Sequence, residues 1–307
     1  MEKLLQSMNG IIVGQQLNVR LLVTALLAGG HVLLEGVPGL GKTKMVRTLA
    51  RLLDGDYRRI QFTPDMMPSD ITGNVVYHMK ENDFYTIKGP VFTNLLLADE
   101  INRTPPKTQA ALLEAMEEAQ VTIQGTTYKL PEPFFVVATQ NPVEYEGTYP
   151  LPEAQLDRFL FKLILDYPEA DQEAEIYRAQ AVQARGIAEQ QLEPVLALGD
   201  LLEARSRLDS IVVEDSLIHY ITAIIRRTRD SKKVLIGASP RGGLALLAAS
   251  KAWALLEGRD FVTPDDIKLV ARPVLRHRIA VSPQLALEGG TSDQFIQETL
   301  ASVEVPR

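Results

Sequence analysis

The eight residues Gly36, Val37, Pro38, Gly39, Leu40, Gly41, Lys42 and Thr43 restrict what this chain can fold into more than any other stretch. They match G-x-x-x-x-G-K-[ST] at every defined position. Glycines there let backbone N–H groups turn inward and approach an anion with no Cβ in the way. The lysine brings a point charge to the β- and γ-phosphates of a nucleotide, and the threonine hydroxyl is a ligand for Mg2+. The pattern requires a strand before it and a helix after it. Residues 31–35 are a short apolar run with strand character, and residues 44–53 set Met45, Leu49, Leu52 and Leu53 on one helical face. That helix points its positive dipole end at the anion. Strand, glycine loop and helix together predict a phosphate-binding α/β domain.

The rest of the composition narrows the class. A chain of 307 residues, 46 % hydrophobic and 23 % charged, is one large globular domain or two modest ones. It has no cysteine, which excludes disulfides and thiolate metal sites and agrees with a cytoplasmic location. The first residues lack the long apolar core of a signal peptide. No uncharged apolar run approaches the ~20 residues that span a bilayer; the best candidate, 244–256, is interrupted by Lys251 and reads as a core helix. The net charge of −7 argues against a general electrostatic nucleic-acid binder, so no nucleic-acid partner is expected. His31, His78, His219 and His277 are scattered without metal-site spacing.

Along the chain, residues 1–30 read as helical with a break at Val13-Gly14-Gln15. Strand patterns follow at 57–62, 95–98, 134–138 and 160–165. Two hairpins are signalled, one from 75–79 and 84–87 around a polar turn, the other from 121–123 and 128–130 around Gln124-Gly125-Thr126-Thr127. Thr104 before Pro105-Pro106 reads as a helix N-cap. Beyond Pro168 strand signals stop, and helical periodicity is expected at 169–184, 192–205, 216–229, 242–258 and 264–270. Strands alternating with helices, then helices alone, predict an α/β domain followed by an all-α domain.

The chemistry gathers at strand ends. Asp99-Glu100 closes an apolar strand, at the edge where ligands collect in parallel α/β sheets. One acid there can hold a Mg2+ hydration shell while its neighbour polarises an attacking water. Asn141 follows the next strand; its amide can bond a γ-phosphate and a water, or it is a turn residue before Pro142. Arg158 can supply transition-state charge from outside the pocket, or pair on the surface with Asp157 or Glu153. Arg241, opening a helix after Ser239-Pro240, can reach over a γ-phosphate or stand solvated in a first turn. Phe84 and Tyr85, near a hairpin tip, are expected to pack onto their own domain rather than grip a polypeptide, and the 124–127 turn is the other candidate tip. Trp253 is expected in a core, and Arg276-His277-Arg278 as a solvated turn.

Together, residues 36–43, 95–100, Asn141, Asp157-Arg158-Phe159 and Ser239-Pro240-Arg241 resemble the Walker A, Walker B, sensor 1, arginine finger and sensor 2 motifs of an AAA+ ATPase. The phrases at 34–39 (LEGVPG), 98–103 (ADEINR), 138–142 (ATQNP) and 151–159 (LPEAQLDRF) resemble the MoxR family specifically, and the resemblance covers nearly the whole chain. It implies a P-loop NTPase (AAA+) parallel sheet flanked by helices with two β-hairpin insertions, an α/β nucleotide-binding core at 1–167, and an all-α lid domain at 168–307. It also implies ATP and Mg2+ as ligands. Gly36, Pro38, Gly39, Leu40, Gly41, Lys42 and Thr43 would cradle the phosphates, Thr43 and Asp99 would serve the metal, and Val13 and Gly14 would line an adenine pocket. Glu100 would polarise water, Asn141 would position it, Arg158 would act on a neighbouring subunit's ATP, and Arg241 would sense the γ-phosphate. Arg103 is open between an interface role and a plain surface arginine. By the same resemblance such proteins are homo-oligomers, usually hexameric rings. They act as ATP-driven chaperones that remodel or mature a protein client, insert metal cofactors, and work with von Willebrand A-domain partners. A magnesium chelatase-type ATPase subunit and an MCM-type DNA-translocating helicase are the related alternatives.

Overall fold

The computed structural model describes residues 1–142, 147–183 and 192–306, without the side chains of 179–183. Its central sheet has five strands in the order Phe159–Ile164, His31–Glu35, Phe135–Gln140, Leu95–Asp99 and Tyr57–Gln61. Leu95 lies opposite Phe135 on one side and Tyr57 on the other, both pairings parallel. Strands covered on both faces need apolar side chains at every position rather than at alternate ones. Leu95 to Asp99 are accordingly all buried, and Phe135, Val136, Val137, Ala138 and Thr139 likewise. The edge strand Tyr57–Gln61 buries only Ile60, which frees Arg59 and Gln61 for polar work. The loop helix, Lys42–Leu52, buries Met45, Val46, Leu49 and Leu52. Helix Pro106–Glu118 buries Leu112, Leu113, Ala115 and Met116. Residues 36–43, Asp99-Glu100 and Asn141 all sit at or just past C-terminal strand ends, where loops of such sheets meet ligands.

Both hairpins are present. Gly73–His78 pairs antiparallel with Asp83–Lys88, and Gln120–Ile123 with Thr126–Lys129. Gly73 is obligatory at the base of the first: its φ is +103° and a Cβ there would stand 2.2 Å from the Ile87 carbonyl oxygen. The hairpins are joined by a hydroxyl–hydroxyl hydrogen bond of 2.9 Å between Thr86 and Tyr128. The Lys88 ammonium lies 4.9 Å from the Phe92 ring centroid and 5.9 Å from that of Tyr128. Phe84 and Tyr85 do not pack away as expected. They are 68 % and 47 % exposed, and their ring neighbours are the cross-strand Tyr77 and His78 of the same hairpin. A two-stranded hairpin has no second layer beneath it, so cross-strand pairs are the packing available to it.

The chain forms two compact units. The first comprises Met1–Arg20, Leu33–Leu151 and Ile164–Leu202, the second Leu21–Val32, Pro152–Leu163 and Glu203–Arg307. The second is built on helices Asp215–Arg229, Pro240–Leu256, Pro264–Leu275 and Ser292–Ser302. Trp253 is buried in it, as its helical position predicts. Helix Pro264–Leu275 begins with a reciprocal box: Thr263 Oγ1 accepts from the Asp266 amide at 3.4 Å, and the Asp266 carboxylate accepts from the Thr263 amide at 2.7 Å. Arg259 reinforces it with bonds of 2.5 and 2.8 Å to Asp266.

The local expectations need four corrections. Thr104 ends a short 3-10 turn, Ile101–Arg103, and Pro105 takes the N-cap place of the next helix. The helix expected from 192 begins at Leu198, because Leu196–Ala197 pairs with Leu53–Asp54 instead. Strands do not stop at Pro168: Val234–Ile236 pairs with Ala280–Val281, a ladder too short to show any alternation in sequence. Helices Pro283–Leu287 and Ser292–Ser302 add to the expected set. The helix expected at 169–184 runs Ala170–Gln183, and Ala184 lies outside the described residues.

Candidate active site

Strand His31–Glu35 delivers the chain into the glycine loop. Gly39 and Gly41 have φ of +89° and +81°, and a Cβ built on either meets no atom within 4 Å. The glycines there answer to backbone conformation, and the space beside them is open to a ligand. Gly36 is needed for the opposite reason, since a Cβ would lie 2.9 Å from the Leu165 carbonyl oxygen. Gly41 caps helix Lys42–Leu52, whose first amides have no carbonyls of their own to bond and so face the loop as anion donors. The Lys42 ammonium donates to the Gly36 carbonyl and, at 3.3 Å, to that of Gln140. It therefore bridges the loop and the strand end that carries Asn141. Thr43 is half-buried in the first helical turn, and Pro38 and Leu40 complete the loop.

The acidic pair is held by residues that its own motif does not reveal. Asp99 is 7 % exposed. One of its oxygens accepts from the Thr139 hydroxyl at 2.5 Å, the other from Arg59 at 2.7 and 3.1 Å. The same Thr139 oxygen accepts the Glu100 amide at 2.9 Å. One hydroxyl on the neighbouring strand thus locks both acids in register. Glu100 has φ 58° and ψ 49°, a left-handed turn that redirects its side chain relative to Asp99. Its carboxylate accepts from Gln61 at 2.8 Å and pairs with Arg103 at 2.9 Å. Gln109, wholly buried, donates to the carbonyls of Ile101, Thr104 and Tyr149 and pins the turn that follows. Asn141 is buried at the next strand end. Arg59, Gln61 and Gln109 stood in none of the motifs read from the sequence; Thr139 stood in the 138–142 phrase, just past the apolar run 134–138, with no role assigned to it.

Among the described residues, no cluster of three His, Cys, Asp or Glu side chains can hold a metal by itself. The hydroxyl of Thr43 and the carboxylate of Asp99 are oxygen donors. That set suits Mg2+ arriving with phosphate oxygens rather than residing in an all-protein cage. Gly14, with φ of +78°, packs against Gln172 and Pro168, and Val13 beside it is half-buried.

The two candidate arginines belong to the second unit. Arg158 follows the short helix Glu153–Leu156 and is half-buried. Asp157, one of the two surface partners open to Arg158, has its carboxylate on the Arg278 guanidinium at 2.6 Å, and Arg241 stands 3.9 Å from its other oxygen. Arg276-His277-Arg278 is no solvated turn. His277 and Arg278 are 7 % and 9 % exposed, and Arg276 is paired with Asp293 at 2.6 Å. Charge density in the sequence suggested solvent; ion pairs and carbonyl acceptors brought the triplet inside.

Burial, then the charge of Arg278, holds the His277 imidazole well below its ordinary range, although its bond to the Phe159 carbonyl works the other way. The folded pKa lies under the unfolded one, so the unfolded chain binds the extra proton first. Its stabilising contribution is full above about pH 6.5 and falls as the pH drops below that value, by at most about 1.4 kcal/mol per pH unit. Thermal unfolding between pH 5 and 7.5 should show a smaller acid loss in His277→Gln than in the parent; equal slopes would refute the assignment.

Comparison with known proteins agrees with this geometry. Residues 31–161 match the family model for ATPases associated with various cellular activities (AAA), and residues 226–299 match the AAA lid domain. YeaC, an uncharacterized protein of Bacillus subtilis (strain 168), is 49 % identical over 99 % of this chain and 94 % of its own. Chaperone MoxR1 of Mycobacterium tuberculosis is 42 % identical over 100 % of this chain and 82 % of its own. Protein MoxR of Paracoccus denitrificans is 31 % identical over 90 % and 87 %. A crystal structure of a candidate ATPase from Cytophaga hutchinsonii superposes with a TM-score of 0.91 at 42 % identity, covering 100 % of this chain and 94 % of that one. No helix among the described residues is long and apolar enough to cross a membrane.

Proposed function

Because the chain belongs to the MoxR family of AAA ATPases, we propose that it hydrolyses ATP with Mg2+ to remodel or mature a partner protein complex, including insertion of a metal cofactor. The observation that carries the hydrolytic reading is the shared Thr139 hydroxyl, which sets Asp99 and Glu100 beside the strand end reached by Lys42. The loop amides and Lys42 bind the phosphates, and Gly36, Pro38, Gly39, Leu40 and Gly41 shape the cradle. Thr43 and Asp99 would hold Mg2+, which would supply charge neutralisation on the phosphoryl oxygens. Glu100 takes the proton of the attacking water and Asn141 orients that water. Val13 and Gly14 line the adenine side. Arg158 acts on the ATP of a neighbouring subunit and Arg241 on the γ-phosphate, coupling a lid at 168–307 to a nucleotide core at 1–167.

On this reading the protein works in the cytoplasm as a homo-oligomeric ring, a hexamer, with a von Willebrand A-domain protein as partner and a protein client. The exposed aromatic hairpin Gly73–His78 with Asp83–Lys88 offers the client an adhesive tip. The test couples assembly to trapping. Sedimentation of Glu100→Gln with ATP should give one species of ring mass, and affinity capture from the source cell should hold a von Willebrand A-domain protein only when ATP is present. A monomer at every nucleotide concentration, or capture independent of ATP, would reject the proposal.

A further inference from the structure

The Arg278 guanidinium is almost sealed from water, its side chain 3 % exposed, yet it sits nowhere near the glycine motif in sequence. All but one of its hydrogen bonds go to one short stretch of chain, residues 157–160. Nε donates to the Asp157 carboxylate at 2.6 Å. Nη2 donates to the Asp157 carbonyl at 3.1 Å and to the Phe159 carbonyl at 2.8 Å. Nη1 donates to the Leu160 carbonyl at 3.2 Å and to that of Val274. Two of those carbonyls belong to the residues immediately before and after Arg158.

The adjoining side chains continue the pattern. His277 Nε2 reaches the Phe159 carbonyl at 2.9 Å, and the ring, held neutral by burial, can only donate there. Arg276 donates to the Lys162 carbonyl at 3.3 Å while its other nitrogens grip Asp293. Strand Phe159–Ile164 is the outermost of its sheet, so part of its backbone lacks a ladder partner. Buried carbonyls must find donors somewhere, and the 276–278 triplet supplies them. Burying a guanidinium is costly unless its fork is filled, which is why such a group is placed where rigid geometry matters and not merely volume. Arg158 itself stays half-buried, its backbone gripped on both sides and its side chain not enclosed.

We propose that Arg278 is a positioning residue for Arg158, clasping the backbone on either side of it so that its guanidinium is presented at a fixed angle for catalysis. The claim rests on the reading of Arg158 as the arginine supplied to a neighbouring subunit's ATP. Asp157 is the second member of the clasp: one carboxylate oxygen takes Arg278 at 2.6 Å, and the other stands 3.9 Å from Arg241. Arg278→Lys keeps the charge but replaces a planar fork of five donors on three nitrogens with three donors on one, too few and too close together for the five acceptors that Arg278 meets.

The test uses the full chain with Arg278→Lys and, because a buried change can unfold the protein, Asp157→Asn as the gentler lesion. Turnover number, KM, affinity for a non-hydrolysable ATP analogue and melting temperature are measured for each. The expected result is a fall in kcat of about 10–100-fold with analogue affinity within about twofold of the parent, the size expected for a displaced catalytic group. Mixing either variant with Lys42→Ala subunits should restore part of the turnover, since those subunits carry an intact Arg158 and clasp. Parental turnover in both variants would overturn the proposal. So would a loss that follows analogue affinity and is not restored by mixing, because a merely structural role predicts that. Arg158→Ala run alongside separates the two failures: if it turns over ATP normally, the reading of Arg158 falls and the clasp with it; if it is inactive while Arg278→Lys is active, only the clasp falls.

Discussion

Glu100→Gln will bind ATP and turn it over about 10²–10⁴-fold more slowly than the parent, the range expected when a positioned general base is removed. The amide is close to isosteric with the carboxylate. The left-handed backbone at residue 100 and its amide bond to Thr139 do not depend on the side chain and should persist. Glutamine still has an oxygen to accept from Gln61 and from Arg103, so the turn keeps its anchors while the ion pair becomes a neutral hydrogen bond. What disappears is the ability to take a proton from water. Lys42 and the glycine loop are untouched, so nucleotide affinity should stay within a few-fold. Steady-state phosphate release and equilibrium binding of a fluorescent ATP analogue measure the two quantities separately. Parental turnover in the variant would remove Glu100 from the mechanism, and a joint loss of binding and turnover would make its role structural.

Arg158→Ala should cost at least about 10³-fold in turnover, as arginines acting on a transferring phosphoryl group do. The larger content of the prediction is where the loss appears. Arg158 lies in the second compact unit, while the glycine loop, Asp99, Glu100 and Asn141 lie in the first. If Arg158 serves another subunit, Arg158→Ala retains a complete phosphate site and Lys42→Ala retains a complete finger. Each alone is inactive, and mixtures of the two contain interfaces where both halves are sound. Turnover should therefore rise on mixing and peak at an intermediate ratio. Inactivity at every ratio would count against action in trans, and full activity of Arg158→Ala alone would leave the residue as a surface cation.

Legibility differed by kind of residue. The glycine loop was readable because its demands are local: Gly39 and Gly41 need positive φ, and the helix that follows needs an apolar face, all within about a dozen positions. Asp99-Glu100 was readable because the chain already carried a phosphate loop; two acids closing an apolar strand are common by themselves. The long helices of the second unit showed their period, whereas Val234–Ile236 and Ala280–Val281 were invisible, being shorter than any period. Thr104 misled because the second proline, Pro106, takes the first helical position and leaves the N-cap place to Pro105.

The chain's own order of residues determined that a strand, a phosphate loop and a helix would form, that acids would close a buried strand, and that this set resembles one ATPase family. Short-range sterics and burial periodicity act over a few residues, so they are written in the sequence. Tertiary structure alone decided that Thr139 would lock Asp99 and Glu100 together, that Arg59 and Gln61 would hold them from a strand some forty residues earlier, and that a triplet resembling a solvated turn would be buried on the backbone around Arg158. The energy of a buried charge depends on partners brought from far along the chain. No local pattern records those partners, and only the folded arrangement reveals them.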